Sequence, residues 1–100
     1  MNNQLDTLII GGGLSGLTIA HKLQQNAPRH RFLMLEKEGR TGGAVQSHRE
    51  QGFLTEIGPH GFLDNCPESR QVLMETGLES EAIKAPLIDF VRYVYLNSRL

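Results

Sequence analysis

The organisation of this chain depends on residues 8–17, which read Leu8-Ile9-Ile10-Gly11-Gly12-Gly13-Leu14-Ser15-Gly16-Leu17. An apolar run followed by glycines predicts a buried strand, a tight turn and the first turn of a helix. Gly11, Gly13 and Gly16 have the G-x-G-x-x-G spacing: the first makes the turn, the second admits a pyrophosphate, and the third allows close helix–strand packing. The N–H groups at a helix N-terminus favour an anion. The stretch predicts a dinucleotide-binding turn; the alternative is a glycine-rich loop without a ligand.

The residues around this turn complete a βαβ pattern. They predict a strand over residues 7–10, a helix over residues 14–25 that ends before Pro28, and a second strand over residues 31–35. A βαβ connection is right-handed, and its strands are parallel. Because the first strand is continuously apolar, we expect both of its faces to be covered. The fold class is therefore α/β, with a Rossmann-like unit at its centre.

An acidic residue follows the second strand at the distance that a dinucleotide site requires. Glu36 lies 20 residues after Gly16, where a carboxylate accepts hydrogen bonds from the ribose hydroxyls. Its charge repels a 2′-phosphate, which argues against NADP. The alternative is a surface acid that pairs with Lys37 or Arg40.

A second glycine pair follows in Gly39-Arg40-Thr41-Gly42-Gly43-Ala44. A simple NAD site does not need it, but it is explained if a second loop presses its backbone against the same diphosphate. Arg40 could then add a charge-assisted contact to a phosphate. An ordinary loop with a solvated arginine is the alternative.

The remaining residues predict further elements. A β-hairpin is expected from strands over residues 44–49 and 53–57, followed by a bend at Gly58-Pro59-His60-Gly61. A helix opens at Cys66-Pro67, with Cys66 a cap or a buried thiol, and ends near Gly77; another helical turn covers residues 79–84. Residues 90–96 predict a strand, with a turn at Asn97-Ser98. Because that hairpin is left without its returning strand, we expect an N-terminal fragment of a larger fold.

Composition limits the classes of function. The 100 residues carry a net charge of −1, so charge implies neither nucleic acid nor an anionic membrane as a partner. The four histidines and the single cysteine show no metal-ligand spacing, and no metal is predicted. No leader or membrane-spanning segment is recognisable, so a cytoplasmic location is expected, with peripheral contact to the inner membrane face left open. No catalytic residue is identifiable.

Four blocks carry a resemblance to a known family. They are Gly11 to Leu17, Leu35 to Gly43, Gly52 to Pro59, and His60 to Leu63 leading to Pro67-Glu68. With them the chain resembles the FAD-dependent protoporphyrinogen oxidases, within the flavin amine oxidase and phytoene desaturase superfamily. Many superfamily members carry a basic residue after the glycine pair, where this chain has Ala44.

The resemblance implies FAD as the cofactor and assigns a role to each block. The first glycines would bind the diphosphate, Glu36 the adenosine ribose, and the second glycine loop would line the cofactor channel, while residues 58–61 would run beside the flavin ring. The candidate cofactor-binding residues are Gly11, Gly12, Gly13, Leu14, Ser15, Gly16, Glu36, Lys37, Arg40, Gly42, Gly43, Ala44, Gly58, Pro59, His60 and Gly61.

The resemblance also implies an activity. The full-length parent would be an oxidoreductase that converts protoporphyrinogen IX to protoporphyrin IX in haem biosynthesis, with a porphyrinogen-like small molecule as substrate. Two alternatives remain open: another flavin amine oxidase or carotenoid desaturase-like enzyme, and a non-catalytic module that binds NAD or ADP.

Overall fold

The computed structural model describes residues 4–86, 88, 91 and 93–99. The chain divides into two compact units, Met1–Asn65 and Cys66–Leu100. The first unit contains β1 (Thr7–Ile10), α1 (Leu14–Asn26), β2 (Phe32–Leu35), β3 (Ser47–Glu50) and β4 (Phe53–Glu56). The second contains α2 (Pro67–Glu75) and a short 3₁₀-helix (Glu79–Glu81).

The predicted βαβ unit is present. β1 and β2 are parallel, with Thr7 opposite Phe32 and Ile10 opposite Leu35, and α1 contacts both strands. The helix extends one residue beyond the predicted end and stops where the Ala27 N–H donates to the Leu23 carbonyl, directly before Pro28. The mixed α/β fold class is confirmed.

The two faces of this sheet differ in exposure. Ile9 is the only buried apolar residue among those described, and an added Cβ on Gly16 of α1 would contact its side chain. Leu8 and Ile10 point the other way, because side chains alternate along a strand, and Ile10 is 82% exposed. The expectation that β1 is covered on both faces is therefore wrong for this chain: α1 covers one face only.

The second sheet is the predicted hairpin. β3 and β4 are antiparallel, with Glu50 opposite Phe53. Gln51 and Gly52 form the turn with φ of 49° and 85°, which is the pattern of a two-residue turn suited to strand twist. The first strand begins at Ser47 rather than at the predicted residue 44, because residues 44–46 belong to the preceding loop.

The second unit follows its capping signals. Cys66 occupies the position before α2 and is exposed, so the buried-thiol alternative is wrong. Gly77, with φ of 72°, follows the helix, and the Leu78 N–H donates to the Leu73 carbonyl at 2.9 Å, a Schellman ending. The next helical turn covers three residues, fewer than predicted.

The predicted strand over residues 90–96 is not formed in its described part. Residues 93–95 have no regular structure, while residues 90 and 92 lie outside the described residues. The predicted turn at Asn97-Ser98 is present, and Leu96 and Arg99 on either side of it exchange two backbone hydrogen bonds.

Candidate cofactor-binding site

The β1–α1 turn leaves backbone donors at the N-terminus of α1. The Gly11 N–H donates to the Leu35 carbonyl at 2.7 Å, which extends the sheet by one residue. The helical hydrogen bonds begin with the Leu17 N–H donating to the Gly13 carbonyl at 3.0 Å. The N–H groups of the residues before Leu17 therefore have no acceptor within the helix. This end of α1 carries the positive pole of the helix dipole and suits an anion.

Gly16 lies where the helix touches the turn. A Cβ built on it would overlap the carbonyl group of Gly11 and contact the side chain of Ile9 at 3.4 Å. Only glycine lets the helix begin this close to the strand. The role predicted for the third glycine is thus matched by the packing of the turn itself.

Glu36 is bonded to the glycine turn. One carboxylate oxygen, Oε2, accepts from the Gly12 N–H at 2.6 Å, and Oε1 accepts from the Glu38 N–H at 2.9 Å. The alternative interpretation paired Glu36 with Lys37 at the surface. In the structure the Nζ of Lys37 lies 3.7 Å from the carboxylate of Glu38 instead. The end of β2 therefore holds Glu36 beside the turn. The bond to Gly12 was not predicted, because spacing alone cannot show which backbone group a carboxylate reaches.

These hydrogen bonds lower the pKa of Glu36. The bond from the Glu38 N–H has the largest effect, and the bond from the Gly12 N–H has the next largest. A carboxyl with a depressed pKa stabilises the fold above its ordinary pKa, and this contribution disappears as the pH falls through the folded value.

We expect the glycine turn to loosen below the ordinary glutamate pKa of about 4.3. The measurement is the NMR shift of the Gly12 amide between about pH 6 and about pH 3. It should titrate in the wild type and stay flat in Glu36→Gln. A Gly12 amide that does not respond to pH in the wild type would contradict the assignment of this hydrogen bond.

The second glycine loop docks on the first. The Gly42 N–H donates to the Gly12 carbonyl at 2.8 Å, and Gly42 and Gly13 pair as an isolated parallel bridge. Gly43 has φ of 56°, and a Cβ on it would lie 3.0 Å from the Cα of Gly13. Both peptide groups of the buried Gly12 are thus satisfied, its N–H by Glu36 and its carbonyl by Gly42. The two glycine segments that the sequence singled out form one surface.

Arg40 makes its hydrogen bonds within the second glycine loop. Its guanidinium is bonded to backbone carbonyls and to one side chain of its own loop. Arg40 is exposed and is held by its own loop, while its predicted contact with a phosphate stays a prediction.

The hairpin brings a third segment to this loop. A Cβ on Gly58 would overlap the carbonyl group of Ala44, and the Ile57 N–H donates to the Gln46 carbonyl at 2.8 Å. Gly58, the first residue of the predicted bend over residues 58–61, therefore packs against the second glycine loop. The remaining candidates are exposed; they are Leu14, Ser15, Lys37, Pro59, His60 and Gly61.

Other chemistry is sparse in the part of the chain that the structure describes. No group of three or more potential metal ligands comes together there, and no helix there is long and apolar enough to cross a membrane. His30 bonds through Nε2 to the Thr7 hydroxyl at 2.8 Å, at the opposite end of the strands from the glycine turn.

The parallel strands, the glycine turn at the start of α1 and the acid at the end of β2 define a dinucleotide-binding βαβ unit. The N–H groups at the start of α1 that have no acceptor within the helix fit a dinucleotide phosphate. Gly16 and Gly43 keep the surrounding backbone closely packed, since a Cβ on Gly16 would overlap the Gly11 carbonyl and one on Gly43 would lie 3.0 Å from the Gly13 Cα.

Comparison with known proteins gives the family. Residues 9–76 match the NAD(P)-binding Rossmann-like domain family, and the chain belongs to it. It is 35% identical over 101 residues to protoporphyrinogen oxidase 1 of Arabidopsis thaliana, covering 95% of this chain. It is 33% identical to the coproporphyrinogen III oxidase of Staphylococcus aureus over 75% of its length, and 31% identical to a probable FAD-binding monooxygenase of an Acinetobacter species over its whole length. The resemblance to porphyrinogen oxidases is confirmed. The chain spans 16–20% of the length of these three relatives.

Proposed function

We propose that this chain forms the FAD-binding platform of an oxidoreductase that converts protoporphyrinogen IX to protoporphyrin IX in haem biosynthesis. The observation that carries the proposal is the docking of the second glycine loop on the first, through the 2.8 Å bond from the Gly42 N–H to the Gly12 carbonyl. A site for NAD or ADP needs only the first glycine turn and Glu36. The second glycine loop adds backbone surface to this site, as we expect for FAD.

Each residue of the platform has a proposed task. The N–H groups at the start of α1 bind the diphosphate, the close packing at Gly16 and Gly43 keeps the glycine backbone in place around it, and Glu36 accepts hydrogen bonds from the ribose hydroxyls. The carboxylate of Glu36 disfavours a 2′-phosphate, so NADP is a poor fit. When FAD is bound, its flavin supplies the redox chemistry, and the protein contributes binding and orientation. The relatives named as porphyrinogen oxidases and as an FAD-binding monooxygenase support this assignment.

Coproporphyrinogen III is the second candidate substrate, because relatives from three bacteria are named as coproporphyrinogen III oxidases. It differs from protoporphyrinogen in its peripheral substituents, which residues outside the platform would have to distinguish.

The test begins with the full-length protein. We expect it to purify with flavin absorbing near about 450 nm and to generate fluorescent porphyrin from protoporphyrinogen under air. Faster turnover of coproporphyrinogen would favour the second candidate. Flavin with turnover of an amine or a polyene instead would contradict both substrates, and NAD or ADP bound without any flavin would contradict the cofactor.

The location and further partners remain predictions. A cytoplasmic site with peripheral contact to the inner membrane face is the expectation from the sequence, whereas plant relatives are named as chloroplastic or as chloroplastic/mitochondrial. Fractionation of cells that produce the tagged full-length protein, with and without a salt wash of the membranes, separates these locations.

A further inference from the structure

Both terminal nitrogens of the Arg40 guanidinium donate hydrogen bonds within the second glycine loop. Nη1 donates to the carbonyls of Thr41 at 3.1 Å and Val45 at 3.4 Å. Nη2 donates to the carbonyl of Gly43 at 2.7 Å and to the Gln46 side-chain oxygen at 2.9 Å. Each of these nitrogens carries two hydrogens and makes two hydrogen bonds within the loop, and the fifth guanidinium donor, the Nε–H, takes no part in these four bonds. A phosphate could be bound by the two terminal nitrogens only if these bonds were broken.

The acceptors are spread over the loop that carries the second glycine pair. Residues 41–46 curl around the guanidinium, and the Val45 N–H closes the curl by donating to the Gly42 carbonyl at 3.0 Å. The same curl turns the Gly42 N–H toward Gly12. Three backbone carbonyls held by one planar group fix the path of the loop, which in turn fixes where Gly42 and Gly43 meet the first glycine turn.

We propose that Arg40 is a positioning residue that shapes the second glycine loop for the cofactor, and that it does not bind the diphosphate itself. This rests on the proposed function only for the identity of the cofactor. Arg40 acts through geometry: the flat fork of the guanidinium reaches carbonyls in several directions within one plane, whereas a lysine ammonium is a compact charge on a flexible stem.

The substitutions Arg40→Lys and Arg40→Gln separate geometry from charge. If Arg40 fixes the loop, both variants lose the fork and should bind FAD about tenfold more weakly, the loss expected for charge-assisted hydrogen bonds. The dependence of FAD affinity on salt, between about 50 and about 500 mM, should be the same as in the wild type. Arg29→Lys, which makes the same change at an exposed arginine between α1 and β2, is the matched control and should bind FAD normally.

A second readout does not depend on the cofactor. Amide hydrogen exchange of the cofactor-free full-length protein should become about tenfold faster at Gly42 and Val45 in Arg40→Lys and should not change in Arg29→Lys. Affinity kept by Arg40→Lys, together with a weaker salt dependence in Arg40→Gln, would overturn the proposal in favour of a phosphate contact. Unchanged exchange would overturn it as well. A wild type that binds no FAD would refute the proposed function, while the exchange rates would still decide the role of Arg40.

Discussion

Replacing Gly16 with alanine should weaken FAD binding by about a hundredfold and lower the thermal unfolding temperature of the protein. The added Cβ would overlap the carbonyl group of Gly11, so α1 must move away from the turn. The position of a Cβ is fixed by the backbone of α1 and the carbonyl is itself backbone, so neither group can rotate aside. Overpacking of this kind costs up to about 3 kcal/mol, and a tenfold change in affinity corresponds to about 1.4 kcal/mol.

Gly39→Ala is the matched control, because nothing lies within 4 Å of the position where its Cβ would be placed. Equilibrium titration with FAD and thermal melting of the full-length protein measure both variants. If Gly16→Ala bound FAD and melted like Gly39→Ala, the close approach of α1 to the turn would not be a requirement of the site.

Replacing Glu36 with glutamine should weaken FAD binding between tenfold and a hundredfold. The carboxylate accepts hydrogen bonds from the N–H groups of Gly12 and Glu38, and hydrogen bonds to a charged acceptor are stronger than those to a neutral one. Glutamine keeps the shape but presents one neutral acceptor and an NH₂ group that cannot accept. Both the hydrogen bond to the glycine turn and the proposed contact with the ribose are then weakened.

Glu38→Gln removes the neighbouring charge and serves as the control. The side chain of Glu38 pairs with Lys37 at the surface, while its backbone N–H, the donor to Glu36, is kept. This variant should bind FAD within about twofold of the wild type, since exposed ion pairs contribute little. Equal losses in Glu36→Gln and Glu38→Gln would show that the general charge of this segment, rather than Glu36, determines the affinity.

The βαβ unit could be predicted from the sequence because its signals are local. The apolar strand, the glycine spacing and Pro28 each act on their immediate neighbours, and they place α1 within one residue of its observed end. Gly77 marked the end of α2 for the same reason: its positive φ is a property of a single residue. Glu36 was found through its fixed distance from the turn.

Contacts between segments distant along the chain could not be predicted in this way. The bond from Gly12 to Glu36 spans 24 residues, and the approach of Gly58 to Ala44 depends on how the hairpin leaves the loop. The hydrogen bonds of Arg40 could not be predicted either, because the carbonyls that accept from it come together only once the loop is folded. The open face of β1 was missed because an apolar strand carries no mark of what covers it.

The central claim is that the two glycine loops and Glu36 form a single FAD-binding surface, and the structure of the full-length protein with FAD tests it most directly. The account predicts the diphosphate at the N–H groups that precede Leu17, with the second glycine loop against it and the ribose hydroxyls within hydrogen-bonding distance of Glu36. FAD bound elsewhere in the protein, or a diphosphate in place with the Gly42–Gly12 bond broken, would contradict it.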